Sequence, residues 1–552
     1  MKFILDKVNN SFAKFTVEDL PASGYGQHPV NYLYQNMSHR PKGVEFSYEY
    51  KHGLSDGVVH MFDKQSGRFP LGLVPRVYDL LKMKGYKDAT FHLTDALRAC
   101  FVGNVVVGED DIINFAKSLG MPEFIEIRDY QMAMVTKALN MKRRTFSACT
   151  GAGKSLVVYL LVRWFLEKHN YRVLILVPNM SLVEQIYNDF IEYGWFGLKA
   201  HVSRLHSQVP KMSKEEKEML KELEIVPDNM LRSCVISTWQ TMQYKLDSGI
   251  LEKYDAVIVD EAHTAQADVL AKIITACKNT EYRIGLSGTL CKNEDLNDQL
   301  EGNIIVGAIG KTDMIVRPID LIRRGILTPC KIVSILVQYD EMSRLAAKRM
   351  KFQSEVEATS LSGSTIGAVR MLIDANRIRT EHNTVILVKN LKLLASLMDM
   401  INSEYPQFKT LDYHGKIKAS RREEIRKLLS MDNGYIVIAS YPTFQAGINV
   451  PKLDNLVLGQ GSSSPVRVRQ SIGRILRRHK DKKIAYVYDV VDDLRHRGPR
   501  AKKPSMNHSF KHYELRKSYY LDDEYEVTEV MSDFTCSFSN MDVGKGFDEE
   551  IG

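Results

Sequence analysis

Long apolar runs are missing from these 552 residues: nowhere do eighteen apolar residues stand together, and the opening MKFILDKVNN has no apolar leader. A membrane-spanning or secreted protein is therefore not expected, and a membrane is set aside as a partner. Cysteine is scarce and unpatterned, with seven residues, an odd number, and no C-x-x-C pair. That argues against a disulfide framework or a zinc ribbon, and for reduced, buried thiols in a cytosolic protein. A strong excess of one charge is also lacking, since a net +8 is small for this length. It permits a polyanionic partner without demonstrating one. What is present is an ordinary globular composition, 44% hydrophobic and 26% charged. The length suggests roughly three or four domains.

Four segments are expected: an N-terminal accessory region over 1–115, α/β domains over 116–315 and 316–510, and a C-terminal extension over 511–552. In the first, Phe3 to Leu5 and Phe12 to Val17 flank Asn9 and Asn10 as a hairpin would. Val44, Phe46, Tyr48 and Tyr50 alternate with polar residues and predict a half-buried strand. Another strand is predicted over Val58 to Phe62, and an amphipathic helix over Leu73 to Lys84, closed by Gly85. The aromatics of this region fit core packing better than base stacking.

The chain is organised around Thr145 to Phe165, TFSACTGAGKSLVVYLLVRWF. A β-prone run ends in Thr150, Gly151, Ala152, Gly153, Lys154 and Ser155, and a helical pattern follows at once. Strand, tight turn and helix make the setting of a phosphate-binding loop, with Lys154 for the outer phosphates and Ser155 as a hydroxyl ligand for Mg²⁺. Ala148 stands where the general pattern has its first glycine. A plain glycine turn with a solvated lysine is the bland alternative. The acids downstream weigh against it. RVLILVP, AVIVD, TVILV and YIVIAS are continuous apolar runs, each followed by polar residues and a helical pattern. They describe two open α/β sheets whose ligands bind at the carboxyl ends of the strands. Ser213 to Glu216 forms a capping box before a charged helix to Glu224, read as a solvated insertion. The tail from Leu521 onward is acidic and is expected to be partly disordered.

A nucleotide hydrolase must hold Mg²⁺, orient a water and neutralise the charge that develops as the γ-phosphoryl leaves. Ser155 and Asp260 suit the metal, and Glu261 suits the water. Positive charge comes from Arg474 and Arg477, three apart and so expected on one helix face, presented across a cleft from the second half.

In order along the chain stand RDYQ at Arg128 to Gln131, TGAGKS, VPN at Val177 to Asn179 and DEAH at Asp260 to His263. SGT at Ser287 to Thr289, AGIN at Ala446 to Asn449 and QSIGRILR at Gln470 to Arg477 follow. This series resembles the motifs of the superfamily 2 DEAH-type helicases. Within them the chain is most similar to the phage DNA helicases of recombination and replication forks, through SDG at Ser55 to Gly57, RFPLGLV at Arg68 to Val74 and YDVVDD at Tyr488 to Asp493. The resemblance implies an α/β fold of two tandem RecA-like parallel-sheet domains with a small α+β N-terminal accessory domain. It implies ATP and Mg²⁺ as cofactors, with Arg128 and Gln131 on the adenine side and Gly447 and Asn449 beside the nucleotide. Asp260 and Glu261 become the metal and water residues, and Gln470, Arg474 and Arg477 close on ATP. The implied substrate is branched or forked DNA, single- and double-stranded, with RNA–DNA hybrids a further one, and the grips on its phosphates that such a motor needs are Thr238 and Gln240 after a strand, Asn179 after Pro178, Lys389 and His414. Phage recombination or single-strand-binding proteins are the implied partners, and the host cytoplasm the place of work. An RNA helicase and the motor subunit of a restriction-type complex stay open, because the same motor core serves both. A non-hydrolysing binder is disfavoured by the intact Lys154, Asp260, Glu261, Arg474 and Arg477.

Overall fold

Runs such as VLILV and AVIVD offer an apolar side chain at every position, so a strand made from them must be covered on both faces. That is how they are used. A computed structural model describes the chain apart from residues 21–26, 41–43, 47, 87–88, 104–105, 207–232, 263–266, 289–303, 448–451, 498–503 and 539–552. The capping box at Ser213 and the charged helix after it lie outside the described residues. The chain divides into two compact units, Met1–Ala148 with Gly153–Val316, and Arg317–Gly552 with Cys149–Ala152.

The N-terminal strands come first: β1 (Lys2–Lys7), β2 (Phe12–Glu18), the short pair β3 (Ser38–His39) and β4 (Val59–His60), β5 (Arg68–Pro70) and β6 (Thr90–Leu93). The predicted hairpin is there, with Phe3 opposite Val17 and Leu5 opposite Phe15 in the sheet β5-β2-β1-β6. Phe3, Phe15, Phe62 and Phe69 fill its core, each large apolar side chain contributing about 1.5–3 kcal/mol by burial. The helix Val74–Lys84 ends at Gly85, whose φ of 79° suits the left-handed cap. The strand expected over Val44 to Tyr50 is absent. A 3-10 turn, Val44–Phe46, and a helical turn, Tyr48–Lys51, stand in its place. A strand needs a ladder partner, and among the described residues none pairs with this stretch. Tyr48 instead stacks on His52 at 3.9 Å, the i, i+4 contact of a helical turn.

The hairpin turn docks on the body of the first unit. Asn10 N donates to Lys278 O (3.3 Å), Ser11 Oγ to Thr275 O (2.7 Å), and Arg283 Nη2 to Ser11 Oγ (2.7 Å). Arg143 Nη2 donates to Asn10 O. Both guanidiniums are 1% exposed, and burial pulls both pKa values down, that of Arg283 to about 10. A Cβ on Gly72 would lie 2.0 Å from Val306 O, so only glycine allows this approach.

The first parallel sheet holds β7 (Arg143–Ala148), β8 (Val173–Val177), β9 (Val202–Leu205), β10 (Cys234–Thr238), β11 (Ala256–Asp260), β12 (Tyr282–Ser287) and β13 (Thr312–Val316), in the order β13-β7-β12-β11-β8-β10-β9. The second holds β14 (Cys330–Tyr339), β15 (Thr384–Val388), β16 (Lys409–Tyr413), β17 (Tyr435–Ser440), β18 (Asn455–Leu458), β19 (Ala485–Asp493) and β20 (Glu526–Cys536), in the order β16-β17-β15-β18-β19-β14-β20. Every pairing in both is parallel. The fold is therefore the expected α/β architecture of two RecA-like sheets with a small N-terminal region. Within the acidic tail, β20 is an ordered edge strand paired with β14 from Lys331–Glu526 to Tyr339–Cys536, while 539–552, the rest of the stretch expected to be partly disordered, lie outside the described residues. Its β-branched Val527, Thr528, Val530 and Thr535 favour a strand, and Lys331 and Lys517 neutralise Glu526 (3.0 Å) and Glu529 (2.7 Å). Among the described residues no helix is long and apolar enough to cross a membrane.

Candidate nucleotide site

β7 ends at Ala148, and the chain turns through Cys149–Gly153 into the helix Lys154–His169. Gly151 (φ 89°) and Gly153 (φ 76°) occupy the left-handed region, which explains the glycines of TGAGKS. A Cβ on Gly153 would also lie 2.3 Å from Gln131 Nε2. The first-turn N–H groups of the helix have no intrahelical acceptors and favour an anion. Gln131, 1% exposed, braces this turn. Its Oε1 accepts from Arg128 N (2.9 Å), and its Nε2 donates to Gly153 O (3.4 Å). Arg128 Nη1 reaches Tyr130 Oη at 3.2 Å. Lys154 folds back on the loop and donates to Ala148 O (3.0 Å). Ser155 Oγ lies 2.9 Å from Tyr193 Oη, a partner 38 residues away that no local sequence signal marks.

Asp260 ends β11, two strands from β7 with β12 between. Asp260 pairs with Leu286, and Leu286 with Phe146, so the acid is level with the strand that leads into the glycine turn, at roughly 10 Å by strand spacing. Its carboxyl is pushed up to about 7, by burial first and then by Glu261, while Lys154 pulls it down. The loop lysine and the acid thus share one electrostatic environment. Glu261 sits at φ 54°, a left-handed conformation that costs a non-glycine residue free energy. Its N–H is held by Asp260 Oδ1 at 3.0 Å. A hydroxyl and a buried carboxylate pressed by a second carboxylate are hard oxygen donors short of a cation, and Mg²⁺ fits that donor set. Among the described residues no cluster of three or more His, Cys, Asp or Glu makes a metal site of its own.

On the second unit, Gln470 and Arg474 lie on the helix Pro465–Ile475, capped by Ser464. The Arg474 guanidinium is 6.0 Å from the Phe444 ring. Arg477 corrects the expectation of one shared helix face. The helix stops at Ile475, and Arg477 forms an antiparallel bridge with Leu327 while Thr328 N donates to Leu476 O at 2.7 Å. Two different backbone environments therefore aim the two arginines. Gly447 is the last residue of the helix Tyr441–Gly447. Asn449, His263 and Thr289 lie outside the described residues.

The candidate phosphate grips all fall at carboxyl ends of strands, though several already have local work. Asn179 caps the helix Met180–Glu192 through Leu182 N (3.0 Å), and Thr238 caps Trp239–Gln243. Gln240 is exposed on that short helix. His414 Nε2 lies 3.1 Å from Asp412 Oδ2. Lys389 donates from Nζ to Gly461 O (2.7 Å), and desolvation, then Arg516 and Arg467, bring its pKa down to about 8.

The family model "Type III restriction enzyme, res subunit" matches residues 124–292, and "Helicase conserved C-terminal domain" matches 366–479. The ATP-dependent DNA helicase UvsW of Enterobacteria phage T4 is 28% identical over 500 residues, 89% of this chain and 93% of that protein. The DNA 3'-5' translocase XPB2 of Sulfurisphaera tokodaii is 21% identical over 442 residues, 74% of this chain and 91% of that one. Among solved structures, the ATP-dependent Type ISP restriction-modification enzyme LlaBIII bound to DNA superposes with a TM-score of 0.53 at 16% identity, covering 83% of this chain and 34% of that one, a likeness of fold. With a glycine turn and a strand-end acid pair on the first sheet and these matches on both halves, the chain carries the two parts of a superfamily 2, ATP-dependent helicase and is similar over most of its length to phage UvsW.

Proposed function

We propose that the protein is an ATP-driven DNA motor that acts on branched DNA, remodelling forks, migrating branches and unwinding R-loops or D-loops in phage recombination, repair and replication. The observation that carries this reading is the 500-residue alignment with a phage DNA helicase, which is longer than the two family segments together. It therefore extends beyond the ATPase core that all motors of this superfamily share.

In this reading the turn at Gly151 to Gly153 and the helix N-terminus hold the β- and γ-phosphates, and Lys154 leaves Ala148 O to meet them. Ser155 and Asp260 hold Mg²⁺, which when bound neutralises phosphate charge. Glu261, held in its strained conformation, orients the attacking water and accepts its proton. Arg474 and Arg477 stabilise the charge on the leaving phosphates, and Gln470 positions them. Gln131 and Arg128 face the adenine, and Gly447 and Asn449 border the nucleotide. Asn179, Thr238, Gln240, Lys389 and His414 grip phosphates, which confers affinity with weak sequence preference and steep salt dependence. Recombination or single-strand-binding proteins of a phage are the partners that suit such work, in the host cytoplasm.

Steady-state ATP hydrolysis tests the reading, measured without nucleic acid and then with single-stranded DNA, a synthetic fork, a Holliday junction and RNA. The expected result is strongest stimulation by the branched DNAs. Stimulation by RNA alone moves the protein to the RNA helicases, and no stimulation by any of them overturns a self-sufficient motor.

A further inference from the structure

The second unit carries a cavity of about 670 Å³ at the carboxyl ends of β15 and β18, walled by Phe352, Val356, Ser360, Lys389, Asn390 and Gln460. Two sources build it. Lys389, Asn390 and Gln460 lie inside the segment matched by the helicase C-terminal family, whereas Phe352 and Ser360, on the helix Phe352–Leu361, lie outside it. Gln460 is committed to shaping the wall: its Oε1 accepts from Lys389 N (2.8 Å) and Asn390 N (3.3 Å), and its Nε2 donates to Ser360 Oγ. Lys389 is not so committed. Its ammonium has three donors, and one is used, by Gly461 O.

Beside the lysine stands an aromatic wall. Phe352 is 40% exposed, and its ring lies 4.9 Å from His512 and 5.8 Å from His508, so the ring is held in place while part of it stays open to solvent. Two carboxylates share the neighbourhood. Asp492, in an adjoining recess, accepts from Tyr339 Oη (2.7 Å), and burial pushes its carboxyl up. Glu357 is exposed on the rim. A partly exposed aromatic ring next to an ammonium with spare donors matches one nucleotide, a flat base joined to an anionic phosphate.

We propose that this cavity seats a single unstacked nucleotide of the strand being moved, its base against Phe352 and its phosphate on Lys389. The proposal rests on the nucleic-acid motor reading and adds to it a contact with a base, where the candidate grips touch only the backbone. It makes Phe352 the residue by which the motor senses that a base is present and free of its stack. Such contact is tolerant of sequence, because every base offers a π-face.

The test uses the full chain and fluorescence anisotropy with a single-stranded oligothymidylate and the same length of abasic backbone, each over a range of salt. The wild type is expected to bind the base-bearing strand about tenfold more tightly than the abasic one. Phe352→Ala should remove most of that preference and leave the salt slope unchanged, and Phe352→Trp should restore it. Lys389→Gln should keep the preference and lower the salt slope by about one phosphate. A Phe352→Ala variant that keeps the full preference overturns the cavity assignment, as does a wild type with no preference. In both cases ATP hydrolysis stimulated by DNA would leave the motor reading standing, whereas wild-type protein unstimulated by any nucleic acid sinks that reading first.

Discussion

The two seven-stranded sheets are built alike and charged differently. At the carboxyl end of the first, Asp260 and Glu261 stand side by side, and burial first, then Glu261, pushes the Asp260 carboxyl up to about 7 in spite of Lys154. The second sheet pairs most of its buried charge internally, Asp492 apart. Arg516, 2% exposed, donates to both oxygens of Asp489 at 2.9 Å each, and Tyr520 Oη joins them at 2.9 Å. Lys482 is tied to the carbonyls of Leu453 (3.0 Å) and Ile475 (2.8 Å). A fold that leaves like charges facing each other pays in stability for a pending ligand, while one that pairs them is stabilising itself. The contrast separates the sheet on which the proposed cation and nucleotide would bind from one whose buried charges are mostly paired.

The most direct way to break this comparison is Lys154→Ala. ATP turnover should fall to background while nucleic-acid binding persists, measured by coupled hydrolysis and anisotropy on the same preparation. Normal turnover would mean that the first sheet does not hold the phosphates. Next comes Arg477→Ala, which tests whether the second sheet contributes charge to the chemistry. The expected loss is about 10³-fold in kcat with little change in KM, since the charge it meets develops in the transition state. A rise in KM alone would confine the second sheet to binding.

The first sheet was the more legible in sequence. TGAGKS and the strand-end DE are local patterns, and local patterns survive folding because the turn and the strand end need those residues whatever surrounds them. Both sheets were readable from their continuous apolar runs for the same reason. Misreadings arose where the outcome depends on partners distant in sequence. The alternation from Val44 to Tyr50 looked like a strand but found no ladder. The strand Glu526–Cys536 inside the acidic tail has no signal in its own charge pattern, because it depends on the edge of β14 and on the counter-charge of Lys331 and Lys517. Arg474 and Arg477 are three apart, but the bridge of Leu327 with Arg477 lies beyond the helix end. Tyr193, Gln460 and Phe352 had no local signature at all.

Asp489→Ala tests the structural side of the contrast. It would leave the Arg516 guanidinium buried without its carboxylate, at a cost of about 3–5 kcal/mol in urea unfolding. A loss under about 1 kcal/mol would show that the second sheet's pair is not structural either. The matching test on the first sheet is a pH profile. A carboxyl raised from 3.8 to about 7 favours the folded state only while protonated, so its contribution is complete below about pH 4 and is lost as pH rises through 7. Asp260→Asn cannot ionise. Without metal and nucleotide, the variant should therefore gain in stability over the wild type as pH climbs from 4 to 8, by urea midpoints. A gap that stays constant with pH would mean that Asp260 is already compensated in the folded protein.

The smallest effect expected concerns Ser155. Its hydroxyl is bonded to Tyr193 Oη at 2.9 Å, and it must give up or share that bond to ligate a metal. Tyr193→Phe keeps the ring, which packs on Tyr159 at 5.3 Å, and removes only the competing oxygen. A hydrogen bond of this kind is worth about 1 kcal/mol net, so the affinity for Mg²⁺-nucleotide should rise about fivefold in the variant. The gain should vanish when nucleotide is titrated without metal, because the phosphate loop itself is untouched. Titration calorimetry with and without Mg²⁺ reads both arms. Equal gains in both would place the influence of Tyr193 on the loop and not on the Ser155 hydroxyl. A loss in both would make the tyrosine a support of the site, so that the first sheet too would spend a polar contact on its own stability.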